Sequence, residues 1–404
     1  MIVFSLLLLL PPLASGFAPP SGARPGTGLA VKEAKRACCA EKASSPAPPS
    51  ALPSVFLRYP SHVAVIEDIS PIAQKMVDEV LLETGSGSWQ ASDFLPDLST
   101  KNENWAEDIK AVRDMAAGVS DELLVVLIGD MVTEEALPTY QTLLNTFEGC
   151  NDPDGDSDTP WARWSRGWTS EENRHGDLLN RYLYLSGRCD MRKVEETIQH
   201  LITNGFNPGA KSDPYRGFVY TSFQERATKI SHGNVGKLAK ECGDVNLQRI
   251  CAKIAGDEGR HEKAYQAFCT EILERDPVGF IETFADQMRG SISMPAECIY
   301  DGHDRNLYAS FSEVAQKLGV YTAVDYAEIT GHLIKTWDLE NLAVPAAAEK
   351  DRDFLCKLPG RYEKLAMRSM KSTAGLSDKA SGANTAGTDA KVPLKEKFAW
   401  LHQD

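Results

Sequence analysis

Between about residues 55 and 371, apolar positions recur at three- and four-residue intervals and period-two alternation is scarce, which predicts helices rather than strands. The punctuation agrees. Ser70-Pro71 supplies an N-cap and an N1 proline, Thr159-Pro160 repeats that opening, and Gly187 closes the segment it begins. Asp190, Asp244 and Asp276-Pro277 mark further starts. Helices are expected over about 70–83, 104–117, 121–148, 160–186, 190–203, 216–241, 244–274, 277–289, 306–317, 322–337 and 349–371. Pro138 should kink or interrupt the third. Several are long, so the fold class is all-α and a bundle is the natural architecture.

The ends of the chain break this pattern. Ile2 to Leu10 is apolar and is followed by Pro11-Pro12 and small residues, a signal core with a cleavage-like site but no basic flank. Phe17 to about Leu52 is rich in Ala, Pro, Gly and Ser, with Arg24, Lys32, Lys35 and Arg36 and few acids, the composition of a transit peptide. The junction ASG-FAPP resembles the bipartite leader of algae whose plastids lie behind extra membranes, so the plastid stroma is the expected destination; plain secretion is the alternative. Residues 1–54 are read as leader, 55–371 as the helical domain, 372–391 as a flexible linker, and 392–404, which ends FAWLHQD, as a terminal segment.

Composition narrows the class. With 404 residues, 42% hydrophobic and 25% charged, the chain is ordinary globular protein. A formal net charge of −14 argues against general nucleic-acid binding, although a local basic patch could face an acidic partner. No run approaches the roughly 20 apolar residues of a membrane span. The nine cysteines are odd in number and include no CxxC pair, so reduced, mostly buried thiols are expected rather than disulfides or a zinc site. No glycine-rich phosphate loop or GxSxG elbow occurs.

Two segments carry the chemistry, Glu172-Asn-Arg-His175 and Glu258-Gly-Arg-His261. Residues three apart share a helix face, so each Glu and His can reach one metal ion. With 57 acids and eight histidines, chance alone supplies about one such spacing, so position must decide. The second pair lies on the stripe Ile254, Glu258, His261, Tyr265, Phe268, Ile272, and the first on Trp168, Glu172, His175, Leu179, Tyr182. Both stripes are apolar, where a bare carboxylate costs several kcal/mol. Either a metal or a buried arginine must neutralise it. Glu134, on a stripe with Leu127, Met131 and Leu137, and Glu225, on one with Phe218, complete two halves of the form Glu helix, then ExxH helix. Four carboxylates and two neutral imidazoles balance two divalent ions, and a thiolate-free donor set suits iron or manganese. Glu plus Glu-x-x-His is the known pattern of ferritin-like di-iron proteins.

Around these residues, GDMVTEEALPTYQTLLNT, WTSEENRHGDLLNRYLYLSG, SFQERATKISHGN, DEGRHEKAY, KLGVYTAVDYA, WQASDFLPD, ISMPAECIYDG and the terminal FAWL resemble the soluble plastid acyl-[acyl-carrier-protein] desaturases. The resemblance covers about 57–371 and the tail. It implies a homodimer of ferritin-like di-iron helical bundles with additional helices. Each subunit would hold two Fe(2+), with ferredoxin supplying electrons and acyl carrier protein presenting the acyl chain. Carried over by motif, the metal ligands are Glu134, Glu172, His175, Glu225, Glu258 and His261, with Glu172 and Glu225 matching glutamates that lie between the metals in some states. Thr228 matches a hydroxyl near the oxygen site, and Trp89, His175 and Asp257 match an electron path from the surface. The reaction implied removes two hydrogens from adjacent carbons of a saturated 16- or 18-carbon chain while O2 becomes water, leaving a cis Δ9 double bond. Phe147 stands where most of the family has Leu, near the deep end of the acyl channel, which implies that 16-carbon chains are used at least as well as 18-carbon ones. Arg361, Lys364, Arg368 and Lys371 recur on one helix face and would steer an acidic carrier, or else form a solvated face.

Two alternatives stand beside this reading. A ribonucleotide reductase small subunit or another di-iron oxidase would need a radical tyrosine and usually an Asp ligand, whereas all four acids here are Glu. An iron-storage or structural bundle would not be an enzyme, and ferritin subunits are far shorter. A membrane desaturase is ruled out by the missing spans and by eight His that are not clustered in boxes.

Overall fold

The computed structural model describes residues 58–85, 87–99, 101–290, 292–382 and 394–402, with side chains in the long penultimate helix described as far as 368. The expected leader over 1–54, linker residues 383–391 and the Lys371 side chain lie outside the described residues. Fourteen α-helices occur among the described residues. They are α1 Pro60–Asp68, α2 Ser70–Glu79, α3 Trp105–Ala116, α4 Asp121–Glu135, α5 Leu137–Leu144, α6 Pro160–Ser186, α7 Met191–Asn204, α8 Pro214–Glu241, α9 Val245–Arg275, α10 Pro277–Gly290, α11 Leu307–Leu318, α12 Ala323–Thr336, α13 Ala346–Gly382 and α14 Leu394–Lys397. The one β contact described is an isolated antiparallel bridge between Cys189 and Leu401.

Most starts obey local chemistry. The side chains of Ser120, Thr159, Asp190, Asp213 and Asp244 each accept a backbone N–H from the first turn of α4, α6, α7, α8 and α9. Pro138 interrupts the expected 121–148 helix, which becomes α4 and α5 with a break at Ala136. Helix α1 was not expected, because Tyr59 gives no side-chain cap and only Val63 and Ile66 are buried. The expected 70–83 helix ends early at Glu79. The Leu82 N–H is taken by the Glu171 carboxylate at 2.5 Å instead of by the preceding turn. Helix α13 runs past the expected end at 371 to Gly382, so the first part of the expected flexible linker is helical although its STAGLSDKASG is rich in poor helix formers. The cysteines are unpaired in the seven cases described, but only Cys189, Cys251 and Cys269 are buried, fewer than composition led one to expect.

Helices α4, α6, α8 and α9 form the core, α8 packing against α9, α4 against α6, and the two pairs meeting through α4–α8 and α6–α9. The α8–α9 pair is antiparallel, with Gly236 near Cys251, Thr228 against Glu258 and Ser222 against Cys269. Every residue of α4 from Leu123 to Glu134 is buried, so this helix is wrapped on all sides. Gly176 lets α6 approach α4 closely, since a Cβ there would sit 3.2 Å from the backbone beside Glu134. That contact places the Glu134 end of α4 against the ExxH turn of α6. The C-terminal segment docks on the same body. Phe398, Trp400 and Leu401 are buried, and Trp400 Nε1 donates to Thr197 Oγ1 at 2.9 Å. None of the described helices is long and apolar enough to cross a membrane.

Candidate metal centre

Each core helix contributes to one buried cluster: Glu134 from α4, Glu172 and His175 from α6, Glu225 from α8, and Glu258 and His261 from α9. All six are at most 3% exposed. The stripes read from the sequence face inward as expected, with Trp168, Leu179, Tyr182, Ile254, Tyr265, Phe268 and Ile272 all buried around them. The donors fall into two overlapping groups, Glu134–Glu172–His175–Glu258 and Glu172–Glu225–Glu258–His261, the atoms of each lying within 4.8 Å of one another. Glu172 and Glu258 belong to both groups, and Glu225 to the second alone, with its Oε1 held by Trp168 Nε1 at 2.9 Å on the His261 side.

These atoms converge without bonding to one another. His261 Nδ1 lies 2.8 Å from Glu172 Oε1 and 3.6 Å from Glu225 Oε2. His175 Nδ1 lies 3.4 Å from both Glu172 Oε2 and Glu258 Oε1. Yet both Nδ1 atoms, with Glu172 Oε1, Glu225 Oε2 and Glu258 Oε1, make no hydrogen bond. Buried polar atoms left so cost about 1–3 kcal/mol each, more when charged. A pair of cations at the two foci would satisfy them together, and the all-oxygen and imidazole donor set fits iron or manganese.

Electrostatics supports the same need. Burial pushes the Glu225 carboxyl well up, and the charges of Glu172 and Glu258 push it further. Burial would lower His175 and His261, but the carboxylates, Glu172 foremost for His175 and Glu171 for His261, hold both well above the ordinary imidazole value. Without metal the cluster therefore offsets part of its negative charge with protons on its imidazoles and on Glu225. Those protons must leave when a cation takes Nδ1, so affinity should rise with pH. Titration calorimetry of a divalent ion into metal-free protein, in two buffers of different ionisation enthalpy, is expected to show net proton release near neutral pH.

Around the candidate ligands lies a set of orienting contacts. Asp257 Oδ2 accepts Trp89 Nε1 at 2.7 Å and lies 3.5 Å from His175 Nε2, and Trp89 stacks parallel to His175 at 6.1 Å between centroids. So Trp89, Asp257 and His175, singled out in the sequence, are in contact, although Trp89 is buried at 8% exposure. The Thr228 hydroxyl donates to Glu258 Oε2 at 2.8 Å. Phe147 is not at the cluster. It is buried in the turn after α5 with its ring on Gly217, where a Cβ would sit 2.3 Å from the ring edge. Arg361, Lys364 and Arg368 are exposed on α13.

Sequence reasoning missed Glu171, Arg260, His232 and the role of Trp168. Glu171 Oε2 meets His261 Nε2 at 3.0 Å, and His232 Nε2 meets Glu134 Oε1 at 3.1 Å. Burial alone would raise the Glu171 carboxyl, but His261 and Arg260 bring it down to about 2. A signal was present: both motifs read acid–Glu–x–Arg–His, as EENRH and DEGRH. The acid before each ligand glutamate reaches the histidine of the other motif.

Comparison with known proteins places the chain. A family model described as "Fatty acid desaturase" matches residues 61–384. Among curated relatives, the chain is 54% identical over 288 residues to the stearoyl-[acyl-carrier-protein] 9-desaturase, chloroplastic, of Gossypium hirsutum, covering 71% of this chain and 72% of that protein. It is 54% identical over 287 residues to stearoyl-[acyl-carrier-protein] 9-desaturase 1, chloroplastic, of Arabidopsis thaliana, with the same coverage. The corresponding protein of Olea europaea is 50% identical over 319 residues, 76% of this chain and 81% of that one. With a family match over most of its length and relatives above half identity, the chain belongs to the fatty acid desaturase family.

Proposed function

We propose that the chain is an acyl-[acyl-carrier-protein] desaturase that places a cis double bond, at the Δ9 position, in a saturated acyl chain carried on acyl carrier protein. The observation that carries this is the pair of overlapping, buried Glu/His groups in a desaturase-family helical bundle. Saturated carbons offer no acidic proton, so a general base has nothing to act on. Glu134, Glu172, His175, Glu225, Glu258 and His261 would hold two Fe(2+), which would activate O2, the oxidant for C–H cleavage, and O2 would leave as water with two hydrogens from the chain and two electrons from reduced ferredoxin.

The chain's own residues do the rest. Glu171 fixes the His261 imidazole through Nε2, Asp257 faces His175 Nε2 at 3.5 Å as its charge partner, and each Nδ1 faces inward. Trp168, His232 and Thr228 each hold one carboxylate oxygen of Glu225, Glu134 and Glu258, so the remaining oxygens are directed at the foci. The surrounding apolar side chains keep water from the reacting carbons. Trp89, hydrogen-bonded to Asp257 and stacked on His175, is the proposed entry for electrons from reduced ferredoxin. Phe147 closes the far end of the acyl channel. The exposed cations Arg361, Lys364 and Arg368 are the proposed dock for the acidic carrier.

The protein acts in the plastid, in line with chloroplastic relatives, and we assign residues 1–54 as a bipartite leader to a complex algal plastid, 372–391, helical as far as Gly382, as linker and the homodimer as working unit. The test is iron-loaded protein with reductant, ferredoxin, O2 and palmitoyl or stearoyl carrier protein, the products being analysed by mass spectrometry. A cis-9 monounsaturated product at the expense of O2 is expected; no unsaturated product from either substrate overturns the reading.

A further inference from the structure

Arg260 sits outside the six candidate ligands but joins the two halves of the cluster. Its Nη2 donates to Glu171 Oε2 at 2.6 Å and pairs with Asp257 Oδ1 at 2.8 Å. The first of these carboxylates holds His261 and the second faces His175. Its Nη1 donates to the Val80 carbonyl, so the guanidinium also ties down the chain leaving α2. Both carboxylates are nearly fully buried, at 2% and 1% exposure, and are tied to few other donors: Leu82 N–H on Glu171, Trp89 on Asp257, and Lys253 at 3.7 Å from Asp257.

The sequence gives the second motif's arginine a different task from the first. Arg174, at the matching place in EENRH, lies over the Trp89 ring at 5.1 Å and its Nε and Nη2 make no hydrogen bond. The arrangement of orienting acids is therefore two-fold, one per histidine, while the cation that holds them is single. One nitrogen with two hydrogens, shared between two acids, makes the position of each depend on the other.

We propose that Arg260 is a positioning residue that couples the two metal foci, by fixing in a single contact the acids that orient His175 and His261. This rests on the metal reading above. Loss of an outer partner of a metal-ligating histidine typically weakens metal binding roughly ten- to a hundredfold. Glu171→Gln and Asp257→Asn should each impair chiefly one binding step, whereas Arg260→Gln should impair both.

The experiment is anaerobic titration of the full chain with Co2+, a spectroscopically visible stand-in for Fe2+, followed by calorimetry and by the visible ligand-field bands. Wild type is expected to take two ions per chain. Arg260→Gln is expected to weaken both steps by about tenfold or more and to shift the bands of both ions, with helical circular dichroism unchanged. Arg260→Lys keeps the charge, but its shorter side chain stops the ammonium short of the place Nη2 takes between the two acids, so it should restore at most one step. If Arg260→Gln does not fold, Arg260→Lys carries the test through this loss of reach. Two ions in wild type with either folded Arg260 variant unchanged, or with only one step weakened in Arg260→Gln, overturn the coupling alone. Fewer than two ions in wild type overturns the metal reading and the coupling with it.

Discussion

Replacing His261 with alanine is expected to leave the chain folded but to lower turnover by well over a hundredfold and to lose one of two bound irons. His261 is fully buried at the shared edge of three carboxylates, Glu171, Glu172 and Glu225, at 3.0, 2.8 and 3.6 Å. Without its ring, the Glu172–Glu225–Glu258 side offers oxygens only, and Glu171 faces a hole. Since removing merely an outer partner of such a ligand costs up to about a hundredfold in metal affinity or activity, losing the ligand itself should cost more. Iron counted by absorption spectrometry beside product yield separates loss of metal from loss of chemistry. A variant that still binds two irons and turns over within a few-fold of wild type would remove His261 from the ligand set.

Phe147→Leu is expected to move acyl preference from 16 toward 18 carbons. The ring is 3% exposed and lies on Gly217 of α8, so its truncation opens space there. Two methylenes are worth roughly 1.6 kcal/mol of burial, a swing of about fifteenfold if both are accommodated. The smaller leucine frees little more than one methylene of volume, so a shift of several-fold in the ratio of stearoyl to palmitoyl kcat/KM is the expected outcome. Comparing both carrier-protein substrates with wild type and variant measures it. An unchanged ratio would place the channel's end elsewhere. A fall in stability alone, from the cavity, would leave that ratio untouched.

Much of the centre was legible because its information is local. A Glu and a His three residues apart on an apolar stripe must share an inward face, whatever the rest of the molecule does, and the buried positions of Glu172, His175, Glu258 and His261 follow from that. Helix starts were legible for the same reason, since Thr159, Asp190 and Asp244 cap turns only a few residues away. Glu171 and Arg260 were not legible as partners. They are 89 residues apart, and Leu82, also bound to Glu171, is 89 residues away in the other direction. The repeated acid before each motif marked Glu171 and Asp257, but not the histidine each would serve.

By itself, then, the sequence determined that the chain is helical, that four helices carry inward carboxylates, and that two of them also carry an inward imidazole, because helical periodicity converts spacing directly into direction. Only the tertiary structure decided that Glu172 and Glu258 are common to both donor groups, that Glu171 of the first motif holds His261 of the second, and that α2 stops at Glu79 where Glu171 takes the next free amide. Those outcomes depend on how helices cross. No pattern within a single helix carries the distance from its own face to the one packed against it.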